Sequence, residues 1–162
     1  MSPGSAAEPG ATALESLYRE HYEPSVRLAH LLTGDRARAE ELAQDAFVRI
    51  APKLGELDNP AGYLRTVLVN LCRDDGRRSL RARSIPAPPA RTSPEPPVPQ
   101  TSTAVWTALQ ALPERQRTAV TLRFYLDLPD DQIAEHIGSR PATVRSLVHR
   151  ALATLKEAIP HD

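Results

Sequence analysis

Between Leu14 and Leu32 the apolar residues Leu14, Leu17, Tyr18, Tyr22, Leu28, Ala29 and Leu32 recur at helical spacing. Pro24 is expected to kink or divide that helix before Thr33-Gly34-Asp35 ends it. In a second helix, Ala39, Leu42, Ala43, Ala46, Phe47, Ile50 and Leu54 share one face, leaving Glu40, Glu41, Gln44, Asp45, Val48, Arg49 and Lys53 mostly outside. Pro52 should loosen its last turn. The polar run LGELDNP then leads through Asn59-Pro60, a turn and helix-start signal, into a third helix from Pro60 to about Arg78. That helix buries Leu64, Val67, Leu68 and Leu71, and its other side carries Asn70, Arg73, Asp74, Arg77 and Arg78. Further on, Val105, Leu109 and Leu112 mark a helix ended by Pro113, and Val120, Leu122 and Phe124 belong to the next, which PERQR opens. No alternating strand pattern of useful length occurs, so the pattern predicts an all-α chain.

The segment from Pro129 to Lys156 says most about function. Ile133, Ala134 and Ile137 line the inner face of a short helix, Gly138 makes a sharp turn, and Val144, Leu147 and Val148 line the inner face of a second helix. Small Ala134 lets the second helix cross closely. Arg140, Thr143, Arg145, Ser146, His149 and Arg150 remain outward, a cationic and hydrogen-bonding surface of the type that enters a DNA major groove. A plain αα-hairpin with a solvated outer face would share the spacing. The turn glycine and the basic outer face together favour DNA. The two preceding helices must supply the rest of the core, because a bare helix-turn-helix has too little apolar surface to fold alone.

Composition changes this picture in one place. Seven of the fourteen residues from Pro86 to Pro99 are proline, a density that no helix or central strand survives. Residues 84–101 therefore read as a semi-rigid, proline-rich linker between two compact pieces at 13–83 and 102–160, after a disordered start at 1–12. Charge is balanced at 20 basic and 20 acidic residues, so bulk electrostatics do not announce nucleic acid, but Arg73 to Arg83 carries five arginines against Asp74 and Asp75. Arginine choice by itself is no sign of phosphate recognition here, since a GC-rich genome would give the same bias. The lone Cys72 excludes an internal disulfide and falls on an apolar stripe, as a buried spectator thiol would. Residues 1–12 lack the features of a signal peptide, and no stretch has the apolar length of a membrane span, so a cytoplasmic protein without membrane attachment is expected.

AEELAQDAFVRI, then NPAGYLRTVLVNLCRDDGRR, then LPERQRTAVTLRFYLDLPDDQIAEHIGSRPATVRSLVHRALATL together resemble the bacterial extracytoplasmic-function sigma factors, the smallest members of the sigma-70 family. The resemblance runs from Leu14 to Ile159 in the family's order of σ2 domain, linker and σ4 domain. It implies two small helical domains, a three-helix σ2 bundle and a four-helix σ4 unit with the helix-turn-helix, and a function in promoter recognition and melting. It places Glu41, Gln44, Asp45, Val48 and Arg49 against the clamp coiled coil of the polymerase β′ subunit, and the second domain on the β flap. Asn70, Arg73, Asp74, Arg77 and Arg78 would meet the minus-10 element. Leu57, Asp58 and Asn59 would form the loop that captures a flipped base, and Arg140, Thr143, Arg145, Ser146, His149 and Arg150 would read the minus-35 element. Core RNA polymerase, promoter DNA and an anti-sigma factor are the implied partners, with no cofactor and no metal. Tyr63 stands where the family has tryptophan, Pro129 where it has a serine N-cap, and Leu147 where arginine often contacts DNA, so the minus-35 preference cannot be copied from a relative.

Enzymatic readings fare poorly. There is no Gly-rich phosphate loop and no HExxH, and His21, His30, His136, His149 and His161 lack the spacing of a metal site or a triad. Asp74 and Asp75 point about 100° apart on a helix, so the two cannot chelate a metal jointly without help from other groups. The serious alternative is a stand-alone repressor or activator that binds a palindrome as a dimer through the second domain.

Overall fold

A computed structural model describes the backbone of residues 9–82, 96–97 and 102–158, and the side chains of 12–77, 96–97 and 102–158. Apart from Pro96 and Pro97, the expected linker lies outside the described residues. The described residues form seven α-helices and one 3-10 segment, with no strand among them. They are α1 (Pro9–Thr33), α2 (Arg36–Ile50), the 3-10 segment Ala51–Glu56, α3 (Pro60–Ala82), α4 (Thr103–Ala111), α5 (Glu114–Phe124), α6 (Asp130–Ile137) and α7 (Pro141–Ala158).

α1 starts at Pro9, inside the stretch expected to be disordered, and continues through Pro24 without dividing. Proline removes one backbone hydrogen bond, but Leu17 before it and Val26, Leu28, Ala29 and Leu32 after it are all buried, and shared burial keeps both halves helical. The turn into α2 uses Gly34 at φ 77°, and the Asp35 side chain accepts from the Arg38 N–H at 3.2 Å to cap α2. Fully buried Ala29, Ala39, Ala43 and Ala46 leave room for the helices to approach closely around Phe47, Ile50, Leu64, Leu68 and Val69. Pro52 sits where α2 tightens into the 3-10 segment, which agrees with a loosened last turn.

In the second half, the Ser102 hydroxyl oxygen accepts from the Val105 N–H at 3.1 Å and caps α4. The helical phase there differs by one residue from the pattern of Val105. Val105 is half-buried, and the neighbouring Trp106 sits beneath Leu109, Leu112, Val120 and Ala151. Phe124 closes α5 with 63% of its surface exposed, so it belongs to the helix without joining the core.

The two halves pack on each other. Leu31 of α1 enters the Trp106 cluster, and Ala119 and Leu122 of α5 join the core of the first half. The Gln110 side-chain amide donates to the Leu31 carbonyl at 2.9 Å, closing the seam beside Gly34.

Candidate nucleic-acid interface

α6 ends at Gly138, whose left-handed conformation (φ 66°, ψ 43°) lets both its own N–H and that of Ser139 reach the Ala134 carbonyl. α7 starts immediately after with Pro141 at its first position. Ile133, Ala134, Ile137, Val144 and Val148 are buried and Leu147 half-buried, as the spacing predicts. That packing leaves Arg140, Arg145, Ser146, His149 and Arg150 exposed, with Thr143 half-buried at their edge. Pro129 provides no side-chain cap to α6, and acidic Asp130 and Asp131 occupy the first turn instead. Asp130 also ties the unit together: one oxygen pairs with Arg123 of α5 at 2.7 Å, and the other lies 3.8 Å from Arg145 of α7. That link was not visible in the spacing.

The second cationic face, on α3, divides. Asn70, Asp74 and Arg77 are exposed, with Arg77 3.9 Å from Asp74. Arg73 turns away from them into the seam, where its side chain is 15% exposed, 3.4 Å from Glu114 of α5 and 3.4 Å from the His136 carbonyl that accepts from it. The Arg78 side chain lies outside the described residues. Beneath the same helix, Arg49, Lys53, Tyr63, Val67, Asn70, Leu71 and Asp74 line an open cavity of about 380 Å³. Lys53 reaches over the Tyr63 ring with Nζ 3.4 Å from the phenol oxygen. Lys53 and Tyr63 were not among the expected site residues. Their signal was the aromatic at the start of a cationic helix, three turns before Arg73.

In the loop before α3, Leu57 is half-buried, and Asp58 and Asn59 are exposed. The Asn59 side-chain oxygen accepts from the Gly62 N–H at 3.1 Å, so this residue starts α3 as well as edging the loop.

The outer face of α2 is a separate surface. Glu41 pairs with Arg38 at 2.7 Å and Asp45 with Arg49 at 3.3 Å, while Gln44 is exposed and Val48 is 70% exposed. Beside it, Leu14, Tyr18, Phe47, Val48, Ala51 and Pro52 border a mostly apolar groove. Tyr18, one of the residues at helical spacing in α1, stands at its rim, stacked on Tyr22 at 4.7 Å and edge-on to Phe47 at 5.1 Å. Cys72 is buried, and loss of solvation pushes its thiol far up, as expected of an inert side chain. No helix among the described residues is long and apolar enough to cross a membrane.

Two stretches of the chain match known families: residues 17–83 match Sigma-70 region 2, and residues 102–155 match Sigma-70 region 4. The ECF RNA polymerase sigma factor SigL of Mycobacterium tuberculosis is 31% identical over 167 residues, covering 96% of this chain and 93% of SigL. SigE of Mycolicibacterium smegmatis, also an ECF RNA polymerase sigma factor, is 29% identical over 88% of the chain, which spans 60% of that relative's length. Among solved structures, the sigma factor RpoE of Bartonella quintana, in complex with the anti-sigma factor NepR, has the same fold at TM-score 0.68 and 23% identity, covering 89% of this chain and 96% of RpoE. CnrH, in complex with the cytosolic domain of CnrY, matches at TM-score 0.63 and 19% identity, covering 91% and 92%.

Proposed function

The chain belongs to the extracytoplasmic-function group of the sigma-70 family, and on that premise we propose that it guides core RNA polymerase to promoters and helps to melt them. One observation carries the reading. A single chain carries two helices with cationic outer faces, α3 and α7, each in a segment that matches a different sigma-70 region. A stand-alone repressor would need only the second.

In this reading α7 enters the major groove of the minus-35 element with Arg140, Thr143, Arg145, Ser146, His149 and Arg150. Arg145, ahead of His149 on the exposed face, takes the bidentate position on guanine, and Arg150 at the flank meets phosphate. At the minus-10 element, Asn70, Arg73, Asp74, Arg77 and Arg78 face the non-template strand and the adjoining phosphates. Extruding a base costs a few kcal/mol of stacking. The cavity beneath α3 has room for a base, and it offers the Tyr63 ring for stacking and Lys53, Arg49, Asn70 and Asp74 for hydrogen bonds. In this reading Leu57, Asp58 and Asn59, in the loop before α3, take part in holding the flipped base. Because such a cavity binds only an unpaired base, it favours the opened duplex by differential affinity alone.

Glu41, Gln44, Asp45, Val48 and Arg49 form the docking face for the β′ clamp coiled coil, and α4 to α7 dock on the β flap. An anti-sigma factor that covers these faces is a further proposed partner, supported by the complex of RpoE with the anti-sigma factor NepR. Such a protein works in the cytoplasm. The residues 13–83 and 102–160 are proposed as σ2 and σ4, with 84–101 as the linker.

The test is run-off transcription with purified core polymerase. Promoter-specific, heparin-resistant binding should require both the chain and core enzyme, and Asp45→Arg should abolish it while far-UV circular dichroism stays unchanged. Tight sequence-specific DNA binding by the chain alone would return the repressor reading.

A further inference from the structure

Two histidines at the seam serve neither DNA reading nor polymerase docking in the proposed function. His30 of α1 is buried with both ring nitrogens lacking a hydrogen-bond partner, and its ring stands edge-on to Trp106 of α4 at 5.3 Å. His136 of α6 is half-buried, with Nδ1 3.3 Å from the Thr66 hydroxyl of α3, while its own carbonyl accepts from Arg73. The Thr66 hydroxyl donates to the Gly62 carbonyl at 3.1 Å, so towards His136 it acts as acceptor and Nδ1 carries the proton of a neutral ring. A second proton, on Nε2, would add a positive charge and no bond to the seam.

The surroundings oppose that charge. Around His30 the ionised groups are Arg36 and Asp35 at the start of α2, and the neighbours from α4 are the neutral Trp106 and Gln110. Around His136 they are Arg65 and Arg73 of α3 and Glu135 of α6 itself, with Glu114 of α5 occupied by Arg73. Burial first, then Arg36 in one case and Arg65 in the other, holds both imidazoles below the ordinary histidine range; Asp35 and Glu135 offset this only in part.

We propose that the seam is a proton-operated latch: uptake of protons by His30 and His136 parts the two halves and uncovers Arg73. The proposal goes beyond the role in initiation and does not depend on it. The sign follows from linkage. Both rings take up a proton more readily once parted, so closure is at full strength above about pH 7 and weakens as the pH falls through about 6.5, the ordinary histidine value.

The chain's single tryptophan, Trp106, reports directly on His30. Trp106 emission, the radius of gyration from small-angle scattering and far-UV circular dichroism are to be recorded on the full chain between about pH 7.5 and about pH 5.5, which brackets histidine titration. Acidification should red-shift the emission and enlarge the radius while helix content stays constant, and His30→Phe with His136→Gln should abolish both changes. If His30→Phe prevents folding, His136→Gln alone should still shrink the radius change. An acid-independent radius, an undiminished response in the variants, or loss of helix in step with the emission change would each overturn the latch.

Discussion

α3 and α7 are both amphipathic helices with a cationic outer face, yet α3 gives up its central arginine to the seam while α7 keeps its arginines in solvent. Among the described residues no other element covers α7 on that side, and five of its six expected reading residues are exposed. α3 lies under the second half of the molecule, and its central arginine, Arg73, points at Glu114 and His136. The lesson is that a charged residue on the polar side of a helix is free for a ligand only where the tertiary structure leaves that side uncovered. In the proposed function the α7 face is therefore ready as it stands, whereas Arg73 of α3 would reach DNA only if the halves moved.

The comparison breaks most completely if the support of α7 is removed. Ile133 is fully buried beneath that helix, so Ile133→Ala should cost about 2 to 5 kcal/mol in urea unfolding and disable the minus-35 reader. A loss within 0.5 kcal/mol, about the scatter of surface substitutions, would mean that α6 does not prop α7.

Arg145→Ala should cost about 1 to 3 kcal/mol at the preferred promoter and flatten the preference at one minus-35 position, as measured by transcription from matched and mutated elements. Equal loss from both would show that Arg145 positions α7 without reading sequence.

A smaller effect sharpens the contrast between the two helices. Arg73→Ala leaves Glu114 and the His136 carbonyl without their partner, so it should lower the stability of the free chain by about 1 to 2 kcal/mol. Arg145→Ala, at an exposed side chain, should stay within about 0.5 kcal/mol in the same urea titration. Equal effects would erase the distinction between a covered and an open reader.

The smallest effect separates phosphate from base on α7. Arg150→Ala should weaken all promoters alike and lower the slope of log affinity against log salt by about one unit. Promoter-selective loss would move Arg150 to the base-reading set.

The elements and their faces were legible in the sequence because they depend on near neighbours. Apolar spacing set Ala39, Leu42, Ala43, Ala46, Phe47 and Ile50 inside α2, and Gly138 with Ile133 and Val144 announced the helix-turn-helix. The outer face of α7 followed from the same period, since what is not inside a helix at the edge of the molecule is outside. Three further features depended on residues dozens of positions apart. Pro24 stays helical because α2 covers α1 on both sides of it; Trp106, one position from the expected phase, is buried because Leu31 packs on it; Arg73 leaves the cationic face because Glu114 and His136 arrive beside it. A helical period states which side of a helix avoids water. What lies against the remaining side is decided by how the helices pack, and here that packing covers the central arginine of α3 and leaves the outer face of α7 open.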